Sequence, residues 1–441
     1  MKRSIYNQLI SWKNRQKHKP LLLRGARQIG KTHVVRQFAK TFDNFIEINF
    51  EQLPEVKEIF AKDLAPQRII RDLQLFFDKK IVLEKSLLFF DEIQAAPDAI
   101  RSLRYFFEEM PDLHVIAAGS LLDFALENVG VPVGRVEFLY MYPMSFIEFL
   151  IATNNESLAQ EILEHPPQAP LAEPIHHKLL SWLGTYMAVG GMPEAVQCWL
   201  DTQDLNACSK IHHQLITAYR QDFPKYAKKF QVKYLDLLFD RMPMYVSNQF
   251  KYSNISQEYR KRELMPCVEL LSKAKILHQV VHTSGNGMPL GAEANPDKFK
   301  PIFLDVALTQ AILGLKSKDW ILNPLQTLVN KGAIAEAFIG QELLAYSDPG
   351  DAMHLYYWQR ETRGSQAEID YLLQKNDQII PIEVKSSAGK TLKSLHMFMQ
   401  SHKQASFYGV RFSTQNYSIF GNIHSYPLYA VAGLVTIGET L

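Results

Sequence analysis

Cysteine is scarce: the chain has three, Cys198, Cys208 and Cys267, in 441 residues. Three scattered thiols build neither a disulfide framework nor a zinc site, so they read as reduced thiols of a cytoplasmic protein. Long apolar runs are also missing, which excludes a spanning helix. The opening stretch MKRSIYNQLISWKNRQKHKP is amphipathic and charged, without an apolar signal core. No membrane partner is expected. Excess charge of either sign is lacking: 48 Lys and Arg stand against 46 Asp and Glu, a net +2. Any basic surface for nucleic acid must therefore be local. Internal repeats and low-complexity tracts are absent as well.

What remains is a folded composition, 47% apolar and 21% charged. At this length about two to four domains are expected. The apolar runs Pro20–Arg24, Phe45–Phe50, Ser86–Phe90, Leu113–Ala118 and Val136–Tyr140 alternate with helical stretches such as Thr32–Thr41 and Ala99–Met110. That alternation predicts an α/β domain with a parallel sheet over 1–144. A helical, lid-like segment follows over 145–229, broken by the proline-rich loop His165–Pro174. Over 230–324 helices precede two β-like runs, Ile276–His282 and Phe299–Leu304, with Thr283–Lys298 as a loop. Helices followed by a hairpin are the layout of a winged helix. A second α/β unit over 325–441 opens with the helix Gly332–Tyr346. It continues with strands Met353–Gln359, Glu368–Leu373 and Ile379–Val384, the helix Leu392–Gln404 and the strand Ser406–Arg411.

The strongest chemical signal is Gly25-Ala26-Arg27-Gln28-Ile29-Gly30-Lys31-Thr32, a match to G-x-x-x-x-G-K-[ST] between a strand and a helix. Such a loop turns successive N–H groups inward as an anion nest. Lys31 is expected to reach the β- and γ-phosphates and the Thr32 hydroxyl to hold magnesium, with His33 completing the nucleotide-binding stretch. A second signal is Ser86-Leu87-Leu88-Phe89-Phe90-Asp91-Glu92, a buried strand ending in two acids. Asp91 would hold the magnesium shell, and Glu92 would polarise the attacking water as a general base. Together the two motifs predict ATP and Mg2+ as cofactors and hydrolysis as the reaction.

GARQIGKT, LLFFDEIQ, AAGSLLDFAL, GRVEFLYMYPMSFIEFL and GGMPEAV resemble the bacterial and archaeal AAA-type ATPases that carry a C-terminal domain of unknown function. That C-terminal region resembles the PD-(D/E)xK nuclease superfamily. The resemblance implies an ASCE-type P-loop core, a helical segment, a winged helix and a nuclease-like fold. It also implies a γ-phosphate-sensing role for Ser120, after the strand Leu113–Ala118; the alternative is a helix N-cap before Leu121–Asn128. Arg135 has two expected roles, a γ-phosphate sensor or an arginine finger on a neighbouring subunit; a solvated loop arginine is the alternative. Oligomeric state does not follow from the sequence.

SNISQEYRKRELMPCVELLSKAKILHQVVHT has the form of a helix-turn-helix with a wing. Pro266 suits the first turn of a second helix, Cys267–Lys273, which would be the recognition helix on DNA. Arg260, Lys261 and Arg262, and upstream Lys225, Lys228, Lys229 and Lys233, are placed to neutralise phosphates, or else are solvated helix faces.

In AEIDYLLQKNDQIIPIEVKSS, Glu383 and Lys385 are two apart on a strand and share a face. A hairpin near Asn376–Asp377 would bring Asp370 beside them. Two carboxylates with neighbouring carbonyls suit magnesium, and Lys385 would activate water. The nuclease resemblance adds Glu336 as a further metal ligand, with Glu342 as its alternative on the same helix. Arg360 and Arg363 would meet a phosphate backbone. Two readings stay open: an ATPase coupled to binding or cutting DNA or RNA, and a nucleotide-controlled switch with an inactive nuclease-like domain. The pairs His176–His177 and His212–His213 read as surface histidines, and Leu355–Trp358 as sheet core.

Overall fold

A computed structural model describes residues 1–130, 134–360, 367–375, 377–385 and 392–436. Arg363 and Asn376 lie outside the described residues. Among those described, the strands form two sheets. The first holds β1 (Leu21–Arg24), β2 (Asn44–Asn49), β3 (Ser86–Asp91), β4 (His114–Ala118) and β5 (Glu137–Tyr140). Their order is β2-β3-β4-β1-β5 and every pairing is parallel. These strands read as continuous apolar runs because both faces are covered. Leu21, Leu23, Phe89 and Ile116 enter one core; Leu22, Leu88, Phe90 and Val115 enter the other. Since β4 lies between β1 and β3, the loop leaving β1 and the acids ending β3 open on one edge of the sheet, with the end of β4 between them.

The second sheet contains β6 (Leu277–Thr283), β7 (Ala294–Phe303), β8 (Leu355–Gln359), β9 (Glu368–Lys375), β10 (Gln378–Lys385), β11 (Gly409–Ser413), β12 (Ser418–Phe420) and β13 (Ile423–Pro427). Their order is β12-β13-β11-β10-β9-β8-β6-β7. β8, β9 and β10 form an antiparallel meander, and β11 returns parallel to β10.

The expected wing is therefore part of a larger structure. β6 pairs parallel with β8 through Val280, Val281 and His282, so the hairpin extends the C-terminal sheet. The expected division between 324 and 325 crosses that one sheet. An isolated hairpin buries too little to stand alone, and joining a sheet supplies the missing contacts. β7 begins inside the stretch expected to be a loop.

Pro266 also differs from expectation. One helix runs Lys261–Lys273 with Pro266 inside it, burying Leu264, Cys267, Val268 and Leu271 along one face. That apolar stripe has the helical spacing, and its packing outweighs the ~3 kcal/mol cost of an internal proline. Lys273 meets Glu127 at 2.6 Å and Lys275 meets Asp123 at 3.0 Å. The end of the expected recognition helix thus rests on the helix Leu122–Val129 of the first domain.

Two of the supposed surface histidines are buried. His176 bonds the Tyr429 hydroxyl at 2.8 Å and Thr414 O at 3.1 Å, and His212 bonds Val189 O at 2.8 Å. A backbone carbonyl or hydroxyl satisfies each ring, so burial costs little. Their neighbours, His177 and His213, are exposed.

His114 opens β4 and stacks on His18 at 4.0 Å. Burial, with His18 adding to it, pushes its imidazole down to about 4. In the unfolded chain the same ring protonates near 6.5. Its contribution to stability is whole above pH 6.5 and is lost as pH falls toward 4, because the unfolded chain then binds the extra proton. Between pH 7 and 5 the melting temperature of the wild type is predicted to drop more than that of His114→Phe. Parallel melting curves would refute this.

Candidate functional site

The loop after β1 lies flush against the chain leaving β5. Gly25 adopts φ +146°, and a side chain there would sit 2.3 Å from Met141 O. Ala26 and Ile29 are buried, so they offer a ligand only backbone, whereas Gln28 and His33 are exposed. Gly30 leads into the helix Lys31–Ala39. The first N–H groups of that helix have no intrahelical acceptor and face the end where an anion is stabilised.

Lys31 is buried and turned onto its own loop, donating to Gly25 O at 2.9 Å and Ala26 O at 2.8 Å. Burial pushes its ammonium down to about 8, against the pull of Glu92 and Asp91. An entering phosphate would replace two carbonyl acceptors by a charged one, a stronger partner.

Thr32 Oγ1 donates to Asp91 Oδ2 at 3.2 Å. Asn49, at the end of β2, donates to the same oxygen at 3.4 Å. Burial, then the neighbouring Glu92, pushes the Asp91 carboxyl up to about 6. A cation at this point would remove that penalty. A hydroxyl and a carboxylate oxygen converging beside a phosphate nest fit magnesium, which takes few protein ligands and keeps its waters.

Glu92 follows in a left-handed conformation, φ +50°. Its Oε2 accepts from Gln94 Nε2 at 2.6 Å. The Gln94 amide in turn fills the space a side chain at position 119 would need, since a Cβ on Gly119 would lie 2.0 Å from its Oε1. Gln94, the last residue of LLFFDEIQ, and Asn49, in the run Phe45–Phe50, have no role assigned from the sequence, since neither amide stands at a position with a chemical motif.

Ser120 stands just past the end of β4, at the edge shared by the loop and the acids. It is not the cap of the next helix, whose N-cap is Leu121 without a side-chain bond. Arg135 is at the other edge. β5 runs parallel to β1 with Tyr140 beside Arg24, so Arg135 lies about 15 Å back along the strand from the loop. It pairs with Glu108 at 2.8 Å. A sensor role within the same chain does not fit this place, which is that of a solvated arginine paired with Glu108.

Distant segments grip the loop. Arg3 donates to Ile29 O at 2.8 Å and Tyr142 O at 2.6 Å and pairs with Glu148 at 2.9 Å. The Tyr219 hydroxyl donates to Arg27 O at 2.6 Å. The Arg27 guanidinium pairs with Asp222; that bond holds it above the ordinary arginine range despite burial. Tyr219 and Asp222 both sit on the helix Leu205–Tyr226. None of these partners shows in sequence, because each contact joins residues remote along the chain.

In the C-terminal sheet, Asp370 on β9 and the Glu383–Lys385 pair on β10 do come together. Asp370 Oδ2 accepts from Val384 N at 2.7 Å, and Lys385 Nζ meets Glu383 Oε1 at 2.6 Å. Glu336 faces the same region from the helix Gly332–Ala345. Glu342 points elsewhere: it caps another helix, accepting from Phe146 N at 3.0 Å. Arg360 donates to Met397 Sδ at 3.2 Å, away from the carboxylates. The residue that sequence reading missed is Lys300 on β7, 3.1 Å from Glu336 Oε1 and 3.6 Å from Asp370 Oδ1.

The parallel order with β4 between loop strand and acid strand, the P-loop and the acid pair define a nucleotide-binding AAA-type ATPase domain. Residues 17–150 match the family model of the AAA domain. Residues 180–319 and 331–431 match models of two domains of unknown function, DUF8612 and DUF4143. No curated protein matches. Among solved structures, the chain is similar to the Walker-type ATPase paby2304 of Pyrococcus abyssi, at 14% identity and TM-score 0.44, over 71% of this chain and 95% of that one. It is also similar to the Aeropyrum pernix ORC1 protein, solved in complex with DNA, at 13% identity and TM-score 0.33, over 74% and 95%. Both likenesses are loose. No helix among the described residues is long and apolar enough to cross a membrane.

Gln94 offers a test of the acid pair. Gln94→Leu is predicted to lower kcat for ATP about tenfold, because Glu92 loses its orientation, while nucleotide affinity stays unchanged. Equal loss of affinity and turnover would contradict this positioning role.

Proposed function

We propose that this chain binds ATP with magnesium at the loop Gly25–Thr32 and hydrolyses it. The observation that carries this is the approach of the Thr32 hydroxyl to Asp91, with Glu92 next along the chain at the same sheet edge. The loop amides bind the phosphates. Lys31 leaves its carbonyl acceptors for the β- and γ-phosphates. Thr32 and Asp91 hold magnesium, which when bound supplies positive charge beside the phosphates. Glu92, aligned by Gln94, takes the proton of the attacking water. Ser120 faces the γ-phosphate from the end of β4.

A second observation favours a nucleotide-controlled switch over a nucleic-acid enzyme. Arg27, within the phosphate loop, is tied to Asp222 on the long middle helix. Phosphate and Asp222 compete for one guanidinium, so nucleotide entry would loosen the loop's tie to the helical segment. Among the basic residues offered for DNA or RNA, Lys225 is already paired, with Asp222 at 2.9 Å. Lys261 is likewise paired, with Asp297 at 2.6 Å.

Lys31→Ala is predicted to abolish binding of a fluorescent ATP analogue. Glu92→Gln should bind ATP normally and turn over roughly 100- to 10,000-fold more slowly; hydrolysis at the wild-type rate would remove Glu92 as the base. Asp222→Asn should tighten ATP binding about threefold to fivefold by freeing Arg27. Unchanged affinity would sink the competition between phosphate and Asp222.

A further inference from the structure

β7 carries Lys300 at a fully buried position, 1% exposed. A lysine is seldom so buried unless its charge is paired. Its stem passes the ring of Tyr357 on β8, with Nζ 5.2 Å from the ring centre. Its ammonium ends among three carboxylates: Glu336 at 3.1 Å, Asp370 at 3.6 Å, and Glu368, which shares a face of β9 with Asp370. The three carboxylates around it pair the Lys300 charge.

Two of those carboxylates, Glu336 and Asp370, with Glu383 on β10, are the ligands a nuclease-like domain would need for magnesium. Each is already engaged. Glu336 and Asp370 face Lys300, the second oxygen of Asp370 accepts from Val384 N, and Glu383 is paired with Lys385. One oxygen, Glu383 Oε2, is buried without a partner. Among the described residues no three His, Cys, Asp or Glu side chains are arranged to hold a metal ion. A divalent ion seeking Glu336 and Asp370 would meet a buried ammonium in direct contact with both. The donor set does not fit the metal.

We propose that the Lys300 ammonium occupies the place of a divalent cation in the C-terminal domain. The carboxylate cluster is a metal-independent ionic joint that fastens the β6–β7 hairpin to the rest of the sheet. On this assignment Asp370, Glu383 and Lys385 keep the spacing of a cleavage site without its metal. The inference is independent of ATP hydrolysis by the first domain.

The test counts bound Mn2+ by electron paramagnetic resonance, without nucleotide, in full-length protein carrying Asp91→Asn to silence the P-loop site. The expected count is zero. Adding Lys300→Met, which keeps the stem and removes the charge, should create one bound Mn2+ per chain and lower the melting temperature in metal-free buffer. One Mn2+ per chain in the Asp91→Asn protein, lost on adding Glu336→Gln, would overturn the proposal. So would a folded Lys300→Met variant that binds none. If Lys300→Met fails to fold, the count in the Asp91→Asn protein decides alone.

Discussion

The contact between the Thr32 hydroxyl and the Asp91 carboxylate is the constraint on which the rest depends. It joins the first turn of the helix after β1 to the last residue of β3, two strands away in the sheet. It exists only because β4 is inserted between those strands and all run parallel, so that both chain ends reach one edge. Both faces of that sheet are packed, which fixes the register of Leu87–Phe90 and, with it, the place of the acids. A one-residue slip of β3 would exchange its two apolar faces and carry Asp91 away from Thr32.

Around that contact the chain is arranged as one connected body. The apolar core that covers one face of the first sheet continues through the helical segment into the hairpin and the C-terminal helix Gly332–Ala345. Arg3, Tyr219 and Asp222 reach the phosphate loop from the N-terminus and the middle helix. Arg24, at the end of β1, pairs with Asp123 at 3.2 Å, and Asp123 also holds Lys275 at the start of the hairpin. The end of β1 therefore has one ionic route to the C-terminal sheet, through Asp123 to the hairpin, and the loop a second tie, through Asp222, to the middle helix.

The first domain was legible because its signals are local. Five apolar runs, a glycine loop and an acid pair each occupy a short window, and their period and spacing fix strand, loop and helix with boundaries off by a residue or two. Pairings between distant segments left no such mark. Nothing in DKFKPIF says that Lys300 crosses two strands to meet Glu336 and Asp370. Nothing in the β-like run Ile276–His282 says that its partner is β8 rather than solvent. Pro266 pointed to a helix start, yet the apolar stripe on both sides of it carried the helix through. β12, exposed at all three residues, has no alternation to find. Local chemistry placed the nucleotide loop; tertiary packing decided the hairpin and the fate of the carboxylate cluster.

The most direct test of the central contact is the magnesium dependence of ATP-analogue binding in the wild type and in Thr32→Val. The variant keeps the shape of the side chain and removes its oxygen. The arrangement described predicts that magnesium tightens binding to the wild type and leaves binding to Thr32→Val almost unchanged. Equal tightening in both proteins would show that Thr32 and Asp91 do not form the magnesium site.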